Sequence, residues 1–289
     1  MNRSGVLSEQ RRERYFFIAL AGPAIVLVGL SAMAPVLWII GQSFLSMAGE
    51  VTLSNYEKVL LSNLTWSALG VTLALSLSTL GLCVILGVPL ALALASTKRR
   101  VANRVLVLVM LPLWTSILVR TYGWLVLLRR EGLINTTLES IGLTDQPLPL
   151  VYNFTGTLIG MVHYMLPLFV LPVYAAMRDI DVNVVRAAAS LGAGFWRCVR
   201  TVILPLSSSG IASGATIVFI YTLGFFITPA VLGGGKVNPI AIRIERTLST
   251  FQDWGSASAL GVLLLLLVVI AGAMFVAIRR LTSERMHHA

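Results

Sequence analysis

The sequence predicts an all-α polytopic membrane protein with six transmembrane helices, and three observations support this class. First, 57% of the 289 residues are hydrophobic and 12% are charged, whereas soluble domains are nearer half apolar and a quarter charged. Second, the chain contains six apolar runs, and a helix needs about 20 residues to cross a bilayer core. Third, these Leu-, Ala- and Val-rich runs lack the alternation of β-barrel strands. The runs are Phe16–Ile40, Leu69–Ala95, Val105–Leu128, Leu158–Met177, Ile211–Leu232 and Ala259–Ile278.

Basic residues are concentrated on one side of the predicted spans. If the N-terminus is cytoplasmic, fifteen of the 22 Lys and Arg lie on the cytoplasmic side. This is the positive-inside pattern, which predicts a multi-pass protein of the cell inner membrane with both termini in the cytoplasm. It also accounts for the net charge of +10 without a nucleic-acid partner. The fifteen are Arg3, Arg11, Arg12, Arg14, Lys98, Arg99, Arg100, Arg104, Arg178, Arg186, Arg197, Arg200, Arg279, Arg280 and Arg285.

The predicted spans divide the chain into three parts. Residues 1–14 form a cytoplasmic tail, residues 15–280 the six-span domain, and residues 281–289 a second cytoplasmic tail. Residues 178–205 form a cytoplasmic loop within the six-span domain. A cleaved signal ending at Ala32-Met33-Ala34 is disfavoured, because the apolar stretch before it is longer than the core of a signal peptide.

Two ionisable side chains lie inside predicted spans, where charge is costly and points to function by default. Arg120 either takes part in a substrate path, or reaches toward the outer interface, or pairs with a backbone carbonyl. His163 either contacts substrate or is a hydrogen-bonded structural histidine. Neither Asp nor Glu lies deep in a predicted span, which disfavours a proton-coupled secondary transporter.

Further candidates for a solute path lie near the predicted outer mouth. Aromatic faces and carboxylates would suit a cationic solute, whereas Arg120, Arg243 and Arg246 would suit an anionic one. Packing or an interfacial aromatic belt is the alternative role for the aromatic residues. The remaining path candidates are Tyr122, Trp124, Tyr164, Phe225, Phe226, Glu245 and Asp253.

Motifs of enzyme chemistry are missing from the sequence. Cys83 and Cys198 lack metal-site spacing, and neither a nucleophile–base pair nor a metal cluster stands out. A phosphate-binding loop requires G-x-x-x-x-G-K-[ST], but Gly235-Lys236 has Ala230 at the first glycine position. We therefore expect a protein that is not an enzyme and holds neither metal nor cofactor of its own.

The loop between the fourth and fifth spans has its own local pattern. Asp179 or Asp181 can cap a helix over Val182–Leu191, and Gly192 is placed to end it in the left-handed conformation. A second helix over Phe195–Ile203 leads to Pro205, which starts the next span. Because so short a helix is unstable alone, it must pack on lipid headgroups or on a partner.

The spacing in this loop resembles a known motif. Arg186-Ala187-Ala188, Gly192 four residues later, and Val202-Ile203-Leu204-Pro205 match the EAA loop of membrane subunits in binding-protein-dependent ABC importers. The stretches at 111–135 and 225–234 look like the corresponding stretches of the spermidine/putrescine-type family. The chain departs from the family pattern at Arg186, where the family has Glu, and at Ser209, where it commonly has Pro.

This resemblance implies a type I importer permease fold, in an importer whose ATP hydrolysis takes place on a separate subunit. It implies that the loop helix docks on a cytoplasmic ABC ATPase dimer, which holds the ATP and Mg²⁺. It also implies a second, related permease subunit, an extracytoplasmic binding protein and a polyamine as the solute. Another solute (an amino-acid derivative or a ferric ion) and an ion-driven secondary transporter are the alternatives. The residues expected to couple to the ATPase are Arg186, Ala187, Ala188, Ser190, Leu191, Gly192, Ala193 and Pro205.

The reversed charge at Arg186 generates a first prediction. We hypothesise that an acidic residue of the ATPase groove faces Arg186, or that the second permease subunit keeps the Glu. If Arg186 is matched by an acid, Arg186→Glu sets like charges together and lowers ATPase activity coupled to transport. Arg100→Glu, a reversal outside the loop, serves as the control. A large rise in coupled ATPase activity of Arg186→Glu would show that the arginine is not matched to its partner.

Overall fold

The computed structural model describes the backbone of residues 3–287 and the side chains of residue 18 and residues 21–277. The side chains of the predicted tails at 1–14 and 281–289 lie outside the described residues. The described backbone is helical throughout its ordered elements, with one isolated bridge between Leu45 and Val51. The helices are α1 (Arg3–Ser43), α2 (Ser54–Leu61), α3 (Asn63–Ser96), α4 (Arg99–Trp114), α5 (Ile117–Leu128), α6 (Leu133–Ser140), α7 (Phe154–Arg178), α8 (Val182–Ser190), α9 (Phe195–Cys198), α10 (Leu204–Leu206), α11 (Ser208–Leu223), α12 (Ile227–Leu232), α13 (Ile240–Ser249) and α14 (Trp254–His287).

Four apolar stretches within the described chain are long enough to cross a membrane as single helices. They are Ala21–Ser43, Asn63–Ser96, Phe154–Arg178 and Trp254–Ala277. Two further pairs of helices, each bent at a break, raise the number to six if each pair counts as one span. The six-span helical fold predicted from the sequence is therefore confirmed, although two of the spans are broken.

The third predicted span, Val105–Leu128, is broken between α4 and α5, and the chain bends by 98° between α4 and the Ile117–Ser140 segment. Pro112 lies in the last turn of α4, where it removes a backbone donor. The Thr115 N–H and hydroxyl both donate to the Pro112 carbonyl, at 3.4 and 2.9 Å. Thr115 and Ser116 then adopt extended conformations before α5 begins. Pro112 is the sequence feature that indicates a bend here, but it does not indicate a break of this size.

The fifth span is also interrupted, at both ends. It begins at α11, which is bent by 66° from the Phe195–Leu206 segment. It ends at Leu223, and the expected continuation to Leu232 is a separate short helix, α12. The predicted second loop helix, Phe195–Ile203, is α-helical only in α9, and a π-helical turn occupies Val199–Ile203.

Three short helices lie in the segments between spans on the side opposite the 178–205 loop. α2 lies between the first and second spans, α6 between the third and fourth, and α13 between the fifth and sixth. Buried Asn55 holds the first segment by donating to the carbonyls of Ser43 and Leu45, at 3.0 and 2.8 Å. Buried Asn135 likewise bonds both backbone groups of Leu148, accepting from its N–H at 2.9 Å and donating to its carbonyl at 3.0 Å.

α7 lies at the centre of the bundle and packs on α3 and α11. Phe169 of α7 is fully buried between them. A β-carbon placed on Gly87 of α3 would lie 2.5 Å from the Phe169 ring. One placed on Gly214 of α11 would lie 2.9 Å from the Phe169 carbonyl oxygen. Small residues at these contacts let the helices approach closely, which is how membrane helices gain packing energy.

This packing predicts that Gly210 of α11 tolerates no side chain. A β-carbon there would lie 2.5 Å from the Pro172 carbonyl oxygen and would also meet the Ala176 methyl. We expect Gly210→Ala to destabilise the bundle by about 1–3 kcal/mol through overpacking. The change is measured as a lower thermal unfolding midpoint of the purified chain. Gly81→Ala on α3 is the matched control, since nothing lies within 4 Å of its added carbon. Equal midpoints for the two variants would contradict the packing.

Candidate functional site

The loop between α7 and α11 folds around α8, a nine-residue helix. Asp181 is its N-cap, and its carboxylate accepts the Asn183 N–H at 2.9 Å. Of the two aspartates considered, Asp179 instead ends α7. The predicted helix and one of its two candidate caps are therefore confirmed.

The C-terminus of α8 is closed by Gly192, which has φ of +84°. The Gly192 N–H donates to the Ala189 carbonyl at 2.9 Å, and the Ala193 N–H donates to the Ala188 carbonyl at 3.0 Å. This pair of bonds is a Schellman motif, and the motif needs a left-handed residue that glycine adopts without strain. The predicted left-handed conformation of Gly192 is confirmed.

α8 presents an open surface. None of its residues is buried. The exposed patch continues beyond it through Leu191, which is 89% exposed, and Trp196, which is 73% exposed and stacks edge-on against Phe195. The Arg186 side chain is exposed, and the Ser190 hydroxyl donates to the Arg186 carbonyl at 3.0 Å. A short helix with no buried residue gains little stability from its own chain, so lipid headgroups or a partner must supply further contacts.

Beyond α8 the chain enters the membrane through an irregular turn. The π-helical turn at Val199–Ile203 leads to α10, where Pro205 occupies the first turn. The buried Ser207 N–H and hydroxyl both donate to the Ile203 carbonyl, at 2.9 and 2.7 Å, just before the bend into α11. Turns of this kind concentrate at functional positions.

Arg178 joins the loop to a second span. The Arg178 Nη1 donates to the carbonyls of Ala95 and Thr97, at 2.8 and 3.1 Å. These carbonyls belong to the last turn of α3 and the residue after it, where helices leave acceptors unsatisfied. Arg178 was counted in the sequence only among basic flanking residues, so this cross-link went unpredicted. Its position in the last turn of α7 was the only signal.

A second group of predicted residues meets inside the bundle, where α5 faces α7. The Arg120 guanidinium lies 4.6 Å from the centre of the Tyr164 ring, and its Nη2 donates to the Thr115 carbonyl at 3.1 Å. That carbonyl is one of those released where α4 ends. Of the roles considered for Arg120, pairing with a backbone carbonyl is the one that the contact shows.

Trp124 and His163 form the adjoining pair. The Trp124 indole N–H donates to His163 Nδ1 at 3.1 Å, with the two rings 5.4 Å apart. Because Nδ1 accepts this bond, His163 is neutral in this arrangement. Buried Phe225 packs against the Tyr164 ring, with the ring centres 5.4 Å apart.

The remaining path candidates are exposed or have other partners. Tyr122 is on α5 but 54% exposed, and Phe226 and Glu245 are exposed as well. Asp253 precedes α14 and accepts both the N–H and the hydroxyl of Ser256, at 2.9 and 2.7 Å, so its contacts are those of a helix cap. No three His, Cys, Asp or Glu side chains of the described part of the chain come together as a metal site.

Comparisons with known proteins match this arrangement. The family model "Binding-protein-dependent transport system inner membrane component" matches residues 87–284. The spermidine/putrescine transport system permease protein PotB of Escherichia coli strain K12 is 31% identical over 251 residues, covering 85% of this chain and 90% of that protein. PotB of Haemophilus influenzae is 30% identical over 249 residues, covering 82% and 86%.

Solved structures agree on the fold. A bacterial alginate ABC transporter, in complex with an alginate pentasaccharide-bound periplasmic protein, has a chain that superposes with a TM-score of 0.75. The two are 19% identical, with 95% of this chain and 97% of that chain covered. A chain of the MetNI methionine ABC transporter gives a TM-score of 0.57 at 17% identity, over 77% of this chain and 99% of the other.

The fold, the loop spacing and these matches agree. The chain belongs to the family of inner membrane components of binding-protein-dependent transport systems, as a permease with the type I ABC importer fold.

Proposed function

We propose that this permease forms half of the translocation path of an ATP-driven importer and that α8 is its docking helix for a cytoplasmic ABC ATPase. The observation that carries this proposal is the exposed α8, which buries no residue in its own chain and is closed by left-handed Gly192. The ATPase dimer would hold ATP and Mg²⁺, so the permease itself needs no cofactor. Membership of the transport family sets aside the ion-driven alternative.

The path is completed, in this proposal, by a second and related permease subunit, with a binding protein delivering solute from outside. The 178–205 loop, both termini and the tails at 1–14 and 281–289 then lie in the cytoplasm. Arg186, Ala187, Ala188, Ser190, Leu191, Gly192, Ala193 and Pro205 are assigned to the ATPase contact. Five of these residues are exposed on or beside α8, and this exposure supports their assignment. Ala188 and Ala193 are half-buried in the same segment. Pro205 is exposed where the chain enters the span.

The proposed solute is a polyamine of the putrescine or spermidine class. Similarity to two PotB proteins over more than four fifths of this chain supports that class. Tyr164, Trp124 and Phe225 provide aromatic faces of the kind that bind ammonium groups, but Arg120 already lies over the Tyr164 ring. A polyamine that binds the ring face under Arg120 must therefore displace that side chain.

The docking role predicts that Gly192 is needed for coupling. Gly192→Val forces a β-branched residue into the left-handed region, which costs roughly 1–2 kcal/mol per residue and distorts the end of α8. We expect the assembled transporter to hydrolyse ATP without solute uptake, measured together in proteoliposomes. Gly194→Val is the matched control, because Gly194 has φ of −64° and open space around it. Unchanged uptake by Gly192→Val would end the docking interpretation.

A ligand screen of the binding protein that delivers the solute tests the polyamine assignment. We expect the thermal midpoint of the cognate binding protein to rise with putrescine or spermidine, and to stay constant with amino acids and ferric ion. A shift with an amino-acid derivative or with iron alone would replace the polyamine by that solute.

Co-purification of an ATPase subunit with the permease tests the importer class separately, since a permease without an ATPase partner would contradict it.

A further inference from the structure

A small cavity lies on the membrane face opposite the 178–205 loop, between α13 and the first turns of α3. Its volume is about 160 Å³. Two guanidinium groups, those of Arg243 and Arg246, line it together with Ser67, Asn238, Leu64 and Phe251. Neither the proposed path nor the coupling loop uses these residues.

α13 is anchored to α3, so both arginines are held in place. The Ile240 N–H donates to the Thr72 hydroxyl at 2.9 Å. Arg243 Nη2 donates to the Ser62 hydroxyl at 3.0 Å, and Arg246 Nη2 donates to the Asn238 side-chain oxygen at 3.3 Å. All three acceptors are neutral.

The cavity is positively charged without compensation from its own lining. No acidic side chain is among the described residues that line it. Burial lowers the pKa of the Arg243 guanidinium, because the charge loses water. α3 begins beside the cavity, and its N-terminus has no side-chain cap, so the positive end of the helix dipole adds to the field.

The size and the rim of the cavity indicate what can occupy it. Pockets for whole small molecules measure about 300–1,000 Å³, so this cavity suits one compact group rather than a complete solute. Leu64 and Phe251 line it and are 67% and 66% exposed. Trp66, on the same turns of α3, is also exposed, and Trp is enriched at the membrane–water interface. Apolar surface next to guanidinium groups matches an acyl chain next to a phosphate.

We propose that this cavity binds the phosphate group of an anionic phospholipid at the bilayer interface. Guanidinium groups form paired, charge-assisted hydrogen bonds with phosphate oxygens. Arg246 is exposed and has donors besides the one directed at Asn238, and Arg243 approaches from the next turn of α13. The lipid fixes α13 against α3 and thereby supports the outer end of the permease.

The test is a lipid titration of the full chain, purified in a non-ionic detergent, with phosphatidylglycerol. Native mass spectrometry resolves lipid-bound from lipid-free protein and yields an apparent Kd. We expect Arg243→Gln/Arg246→Gln to weaken binding about a hundredfold, since each lost charge-assisted contact is worth roughly a factor of ten. Arg129→Gln/Arg130→Gln, which removes two exposed arginines from the same membrane face, should leave the Kd unchanged.

If the double variant does not fold, the single variant Arg246→Gln still tests the proposal. The hydrogen bond that it removes, from Arg246 to Asn238, is exposed, so we expect this variant to fold. We expect about tenfold weaker binding from it. Equal lipid affinity of Arg246→Gln and the unaltered chain would overturn the proposal. Inorganic phosphate that displaces phosphatidylglycerol at similar concentration would identify a free-phosphate site and overturn the lipid assignment. Retained lipid affinity combined with lost affinity for the cognate binding protein would mark the two arginines as a protein contact instead.

Discussion

The close approach of α7 to α3 and α11 is the constraint on which the rest of the structure depends. Lipid tails are as apolar as leucine, so helices associate in a membrane through packing and hydrogen bonds rather than through exclusion from water. Phe169 fills the contact, and glycines on both neighbouring helices leave room for it. α7 carries the Tyr164 and His163 cluster within the membrane and leads at its end directly into α8. One packed helix therefore connects the proposed path with the proposed docking surface.

The breaks in the spans are tolerated because the backbone groups that they free find hydrogen-bond partners. At the break after α4, the Thr115 carbonyl is satisfied by the Arg120 side chain. At the end of α3, Arg178 donates to the carbonyls of Ala95 and Thr97. Arg178 belongs to the coupling loop, so these hydrogen bonds also hold the loop to the bundle. At the bend before α11 the Ile203 carbonyl keeps its backbone bond from Ser207 and accepts the Ser207 hydroxyl as well.

Much of the fold and of the coupling loop could be predicted from the sequence, because local chemistry decides the positions of the spans and of α8. The apolar runs fix the spans, and the positions of Asp181 and Gly192 fix α8, because caps act within one turn of helix. The 98° bend at Thr115 and the π-helical turn at Val199–Ile203 could not be predicted. They depend on contacts with other helices, as does the Arg178 link across 83 positions to Ala95. Composition made Glu245 and Asp253 reasonable path candidates, but the fold leaves Glu245 exposed on α13 and engages Asp253 with Ser256.

Since Arg178 ties the coupling loop to the end of α3, we expect α8 and the bundle to move as one body when the ATPase acts. Pulsed electron paramagnetic resonance tests it most directly, with spin labels at Asn183→Cys on α8 and Tyr221→Cys on α11, both exposed positions. Cys83 and Cys198 are replaced by alanine, and the assembled transporter is measured with and without ATP. The account predicts the same Asn183–Tyr221 distance distribution in both states. A distribution that shifts on ATP binding would show that α8 moves independently of the spans, and would contradict it.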